Sequence, residues 1–217
     1  MRSVTDRAPT LVVASRNQGK VREIVRLLAD LDVTVLSLAD FPDVPEVPEP
    51  HDTFAANAIE KAVAVARATD SLALADDSGL CVDALDGAPG VRSARVAETD
   101  AGRITWLLEE LAGIPPHRRT ARFVCVVAVA GPDGAVETWE GRVEGVITEA
   151  PSGESGFGYD PVFVVPDLRR TFAELTADEK NAISHRGKAL RLACESLRHD
   201  LPSRCLAPLS CKERGRR

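Results

Sequence analysis

Short apolar runs alternate along this chain with longer stretches whose apolar residues recur at helical spacing, the pattern of strands interleaved with helices. Residues 11–15 read as a buried strand, and 21–31 as an amphipathic helix with Ile24, Leu27, Leu28 and Leu31 on one face. A second helix is predicted over 53–69, N-capped by Asp52 or Thr53. The apolar run that starts at Leu72 predicts a strand ending in an acidic turn at Asp76 and Asp77. A third helix is expected over 101–112, with Ile104, Leu107, Leu108 and Leu111 as its stripe. The near-continuous apolar run 123–130 reads as a strand, and residues 131–134 turn it back into the alternating segment 135–143 as a hairpin. A strand over 162–165 and a helix over 183–198 capped by Ser184 complete the series. Pro42, Pro45, Pro48 and Pro50 make 41–50 an extended loop, and 86–95 is a second loop rich in glycine and proline. A hairpin beside strand-helix-strand units predicts an α/β fold on a mixed sheet.

Length and charge narrow what such a fold can do. At 217 residues the chain can bury one sizeable core, expected over 10–200, between an N-terminal extension (1–9) and a basic, disordered tail (201–217). The composition, 44% hydrophobic and 28% charged, is that of an ordinary globule. A net charge of −6 argues against a broad nucleic-acid-binding face but leaves room for a small anionic ligand held by a few lysines. Five scattered cysteines form no C-x-x-C pair. Cys81, Cys125 and Cys194 read as core fillers, and a reducing cytoplasm is the expected compartment. No segment has the length of a membrane span or the apolar core of a signal peptide.

Five segments carry candidate chemistry. Ser15, Arg16, Asn17, Gln18, Gly19 and Lys20 join the first strand to the first helix, where N–H groups, a glycine and a lysine suit a phosphate; a solvated helix cap fits the spacing equally well. Asn57 and Lys61 lie one turn apart on a helix otherwise rich in alanine, as a polar functional face or as two exposed residues. Asp76 and Asp77 repel each other unless a cation or donors offset them, and a divalent metal carrying phosphates is the economical partner; an Asx-type turn is the alternative. Phe157, Gly158, Tyr159 and Asp160 belong to a glycine loop whose two aromatics offer faces for a nucleobase. Lys180, His185 and Arg186 cluster at a predicted helix start, where cations oppose the helix dipole, so a ligand is the better reason for them. His51, His117 and His199 read as solitary surface residues.

Together these segments resemble the inosine triphosphate pyrophosphatase family, the Ham1-like or RdgB-like enzymes. The likeness runs from about Leu11 to Leu197 through SxNxGK, TFxxNAxxK, ADDSGLxVDALxGAPGxxSAR, GFGYDPVF and KxAISHRGxAL in family order. It implies a long mixed sheet flanked by helices, two lobes with a central substrate cleft, and a homodimer. It also implies Mg²⁺-dependent hydrolysis of inosine and xanthosine triphosphates to monophosphate and pyrophosphate, with no nucleic-acid or membrane partner. Carried over by position, the phosphate loop falls on Ser15 to Lys20, the helix lysine on Lys61, the catalytic aspartate on Asp77 and a phosphate contact on Ser78. Glu49 is the metal glutamate before the Thr-Phe pair, and the base pocket falls on Phe157 to Asp160, Lys180, His185 and Arg186.

The mechanism expected is water attack on the α-phosphorus. Asp77 and Glu49 hold the metal, Asp77 accepts the proton or positions the water, with Asp76 as its substitute, and Lys20, Lys61 and Lys180 stabilise the triphosphate. Two departures from the family pattern stand out: Ala56 replaces a glutamate, with Glu60 one turn on as its substitute, and Val96 replaces an aromatic after the Ser-Ala-Arg triplet. A Maf-like pyrophosphatase of other base preference and a non-catalytic nucleotide-binding protein are the competing readings.

Overall fold

In this computed structural model, which describes residues 9–204, the elements in chain order are β1 (Thr10–Val13), α1 (Gln18–Leu27), β2 (Thr34–Ser37), α2 (Phe54–Thr69), β3 (Leu72–Val82), α3 (Asp100–Glu110), β4 (Thr120–Ala130), β5 (Val136–Ile147), β6 (Phe163–Val165), β7 (Arg170–Thr171), α4 (Ala177–Ile183) and α5 (His185–Arg204). The strands form one seven-stranded mixed sheet in the order β2-β1-β3-β4-β5-β6-β7. β1 is parallel to both β2 and β3, and every later pairing is antiparallel. The α1 crossover runs from β1 to β2, and the α2 crossover returns from β2 past β1 to β3, in the opposite direction along the sheet, so the two helices pack on opposite faces.

Each face has its own core. On one, Leu11, Val13, Leu74, Cys125, Val127 and Val129 meet Ile24 and Leu28 from the α1 side and Leu190, Ala193 and Leu197 of α5. Further along the same face, Leu80, Val82, Phe123 and Val143 join Leu107, Leu111, Phe163 and Phe172 in a second cluster. The opposite face is lined by small residues: Ala73, Ala75, Ala128 and Ala130 pack on Ala58, Ala62, Val65 and Ala66 of α2. Alanine against alanine brings this helix close to the strands, so polar side chains on its inner face reach β3 directly.

The acidic segment lies inside a strand rather than at its end. β3 runs for 11 residues because β4 pairs with it from Ala73 through Val82. β1 stops at Val13, opposite Leu74, so among the described residues no strand lies beside β3 beyond Leu74 on that side, apart from a single bridge of Cys81 to Pro89. Here the chain reverses its direction of winding, the position where open α/β sheets place ligands. The short strands β2 and β7 escaped the periodicity, since four and two residues are too few to show it. The predicted last helix divides: α4 ends at Ile183 and Ser184 is extended. The Ser184 hydroxyl then caps α5 by accepting from Gly187 N–H at 3.0 Å. α5 continues to Arg204, into the segment expected to start the tail; residues 205–217, with Cys205 and Cys211, lie outside the described residues.

Gly141 on β5 fixes how α5 docks. A Cβ there would stand 2.2 Å from the His185 carbonyl oxygen and 2.6 Å from Ala189 N, both main-chain atoms. Gly141→Ala is therefore expected to destabilise the fold by roughly 1–3 kcal/mol through overpacking. Its activity should fall as well, because the displaced turn carries His185 and Arg186. Urea unfolding of wild type and variant checks the first effect, and an unchanged midpoint would refute it.

Candidate active site

Along the free edge of β3 runs a cleft of about 760 Å³, lined from both faces of the sheet. Strand alternation sends Asp76 to the α1/α5 face and Asp77 to the α2 face. Both still border one cleft, because no neighbouring strand closes that edge. Asp76 and Ser78 fall between the two clusters of their face, where apolar packing is interrupted.

Asp76 is a buried hub of charge. Its Oδ2 lies 3.2 Å from Lys20 Nζ and accepts from Arg186 Nε and Nη2, each at 3.2 Å. Burial would raise its pKa, but the charges of Lys20, Arg186 and Lys61 overcome this and hold it far below the ordinary carboxylate range. Among the described residues its buried Oδ1 has no hydrogen-bond partner. Asp77 behaves oppositely: burial pushes its carboxyl up, Lys61 pulls it back in part, and Glu49 adds to the rise. Asn57 Nδ2 donates to Asp77 Oδ2 at 2.9 Å. Lys61 Nζ bonds Glu49 Oε1 at 2.6 Å and the Asp76 carbonyl at 2.7 Å. Burial opposes its charge, yet the surrounding carboxylates raise its pKa and keep it protonated.

At the other end of the cleft stands the glycine loop. Asp160 Oδ2 accepts from Phe157 N–H at 2.9 Å and from Lys180 Nζ at 2.7 Å. Lys180 lies 4.6 Å from the Phe157 ring centroid and Arg186 5.7 Å, cation-π contacts to one aromatic. Glu23 joins these cations, accepting from Lys180 at 3.1 Å and from Arg186 at 2.5 Å. His185 stacks on Phe123 with 4.7 Å between centroids. Burial, reinforced by Arg186 and Lys180, lowers its pKa well below the usual value, so the imidazole is neutral, and among the described residues its buried Nδ1 has no partner.

The cleft brings together Ser15, Arg16, Asn17, Lys20, Glu49, Lys61, Asp77, Ser78, Phe157, Gly158, Tyr159, Asp160, Lys180, His185 and Arg186. Gln18 and Gly19 are not on its wall. The N–H groups of Gly19 and Lys20 donate to Asn17 Oδ1, so the helix start is capped from within and does not present them to a phosphate. Arg16 donates to the carbonyls of Leu38 and Val44 and thereby holds the proline loop. Tyr159 is a core residue, its hydroxyl donating to the Ser93 carbonyl at 2.8 Å; one flat face, that of Phe157, remains for a base.

The conflict of cations with a helix dipole also dissolves. Lys180 sits in the last turn of α4, where a cation is favoured, His185 is neutral, and Arg186 is matched by Asp76 and Glu23. Lys180 lies among Phe157, Asp160 and Glu23, which places it at the base end rather than with the phosphate lysines. Glu60 does not line the cleft and pairs with His51 Nε2 at 2.5 Å, so it is no substitute for the glutamate missing at Ala56, and His51 is not solitary. Val96 and Trp106 pack in one cluster, so an aromatic reaches that region from α3 instead.

Glu23 escaped the sequence reading, although its position three residues after Lys20 on α1 places the two on one face. Arg95 escaped as well; its Nη1 donates to the Glu49 carbonyl at 2.7 Å, which no sequence spacing reveals.

The model of the Ham1 family matches residues 11–196. A dITP/XTP pyrophosphatase of Desulforamulus reducens is 54% identical over 190 residues, 86% of this chain and 94% of that protein. One of Thermus thermophilus is 50% identical over 206 residues, 94% of this chain and 99% of its own length. Among solved structures, a HAM1 protein from Coxiella burnetii superposes with a TM-score of 0.81 at 44% identity, covering 88% of this chain and 99% of that one.

Proposed function

The chain belongs to the Ham1 family, and we propose that it hydrolyses noncanonical purine nucleoside triphosphates, those of inosine and xanthosine, to the monophosphate and pyrophosphate. One observation carries the reading: a single cleft gathers Lys61, Asp77 and Glu49 as one group and Phe157 with Lys180, His185 and Arg186 as another, with Asp76 joining Lys20 to Arg186 between them. The first group suits a triphosphate and the second a base, in the order a nucleotide needs.

Glu49 and Asp77 offer only oxygen donors, the chemistry of Mg²⁺, and among the described residues they are not joined by a third ligand into a closed cluster. Two carboxylates plus phosphate oxygens and water make an ordinary Mg²⁺ set. When bound, the ion would supply positive charge to the phosphate oxygens in flight. Asp77 accepts the proton of the attacking water. Lys20 and Lys61 offset charge on the departing pyrophosphate. At the base end, four of the five N–H groups of Arg186 are engaged, which leaves the neutral His185, beside one Nη1 N–H, as the donor for the 6-oxo oxygen. Adenine presents an amino group there and leaves that donor unpaired. The proposal includes a homodimer in the cytoplasm; among the described residues no helix is long and apolar enough to cross a membrane.

A panel of nucleoside triphosphates, scored for pyrophosphate against orthophosphate with Mg²⁺ and with EDTA, tests this. Pyrophosphate should appear from inosine and xanthosine triphosphates about 10²-fold or more faster than from ATP, and EDTA should abolish it. Preference for a modified pyrimidine would favour the Maf-like reading, and binding without turnover a non-catalytic one. Orthophosphate release would place the attack elsewhere.

A further inference from the structure

Asn57 is wholly buried, carries no charge and has no part in the chemistry above, yet every polar atom of its side chain is committed. Nδ2 donates to Asp77 Oδ2 at 2.9 Å and to the His51 carbonyl at 3.2 Å, and Oδ1 accepts from His51 N–H at 2.9 Å. Both protons of the carboxamide are thus in use. Resting on the reading of Asp77 and Glu49 as the metal-holding pair, we infer that Asn57 is a positioning residue that sets the separation of those two carboxylates.

The two groups come from elements that no strand pairing connects. Asp77 is fixed by the β3–β4 ladder. Glu49 lies in the proline-rich loop, which side chains hold: Arg16 at Val44, Arg95 and Lys61 at Glu49, and Asn57 at His51. Among the described residues, Asn57 is the one of these four that also bonds a β3 carboxylate. Lys61, one turn later on α2, spans the same gap from Glu49 to the Asp76 main chain. Together they form two rungs from one helix face to both sides of the site.

The neutrality of Asn57 fits the same role. A lysine there would neutralise Asp77 and weaken its hold on a cation, and a further carboxylate would raise the repulsion already set by Glu49. A carboxamide orients Asp77 without changing the net charge.

The test uses the full-length protein with Asn57→Ala and Asn57→Ser, the hydroxyl variant serving as a milder lesion if the first does not fold. Four quantities are read: kcat, KM for inosine triphosphate, Mn²⁺ affinity by calorimetry with a non-hydrolysable analogue bound, and the urea midpoint. We expect kcat to fall about 10²-fold, as for a misplaced catalytic group, with Mn²⁺ bound about 10-fold or more weakly. KM should stay within about threefold, since uniform nucleotide binding is untouched. A lower urea midpoint with wild-type metal affinity in a metal-dependent enzyme would show a merely structural residue and overturn the inference alone. Wild-type turnover in EDTA would remove the metal reading itself, and the inference with it.

Discussion

Asp77→Asn is expected to lower kcat by about 10³-fold or more while leaving nucleotide affinity nearly intact. The amide is isosteric and its single oxygen can still accept from Asn57, with only the local Ser78 N–H contact given up, so the β3 edge and the α2 rung keep their geometry. What disappears is the negative charge that would hold the cation and take up a proton. The cationic groups proposed to bind the rest of the nucleotide, Lys20 on α1 and Lys180 on α4, belong to other elements and are not touched. Single-turnover assays beside equilibrium binding of an inosine triphosphate analogue separate the two effects. Turnover near the wild-type rate would exclude Asp77 as the proton acceptor.

Asp76→Ala should act on stability instead, and strongly. Removing the carboxylate leaves the guanidinium of Arg186 and the ammonium of Lys20 facing each other, with Glu23 beside Arg186 to offset them in part. Breaking a buried pair in this way costs about 3–5 kcal/mol, which for a chain of this size is roughly 6–20 °C in Tm. A pH dependence accompanies it. The folded protein holds the Asp76 carboxyl below its ordinary value of 3.8, so the unfolded state takes up this proton first. The stabilisation is complete above that value and is lost as the pH falls below it. Urea midpoints from pH 7 down to pH 3 should therefore drop more steeply in wild type than in Asp76→Ala. Parallel curves would show that the buried carboxylate is not the source.

The two aspartates illustrate how far local sequence carries. That adjacent carboxylates needed offsetting charge follows from repulsion alone. Which one would be neutralised by cations depended on strand alternation and on what each face packs against. Asp76 meets Arg186, 110 positions away, whereas Asp77 meets Asn57 on the opposite face. The helix from 54 to 69 was readable from its N-cap and composition, whereas the burial of Lys61 on its inner face was not, since spacing alone fits an exposed pair equally well. The division of the last helix was not, because an extended Ser184 between two helical turns leaves the apolar stripe almost unbroken.

By itself, the sequence determined the order of the longer strands and helices, the α/β class, and the kinds of groups the site has to work with, because periodicity and turn chemistry are short-range properties of the chain. The tertiary structure decided three things that short-range rules do not reach. It extended β3 through the acidic pair by pairing it with β4, and left its other edge open where β1 ends. It assigned each cation its carboxylate, down to a Glu23–Arg186 contact between residues 163 positions apart. It also turned Asn57 from one polar residue on an alanine-rich helix into the link between Asp77 and the loop of Glu49. Each depends on distances set by packing between elements remote in the chain, and at such separations the energy of a charge or a hydrogen bond is decided by burial and geometry.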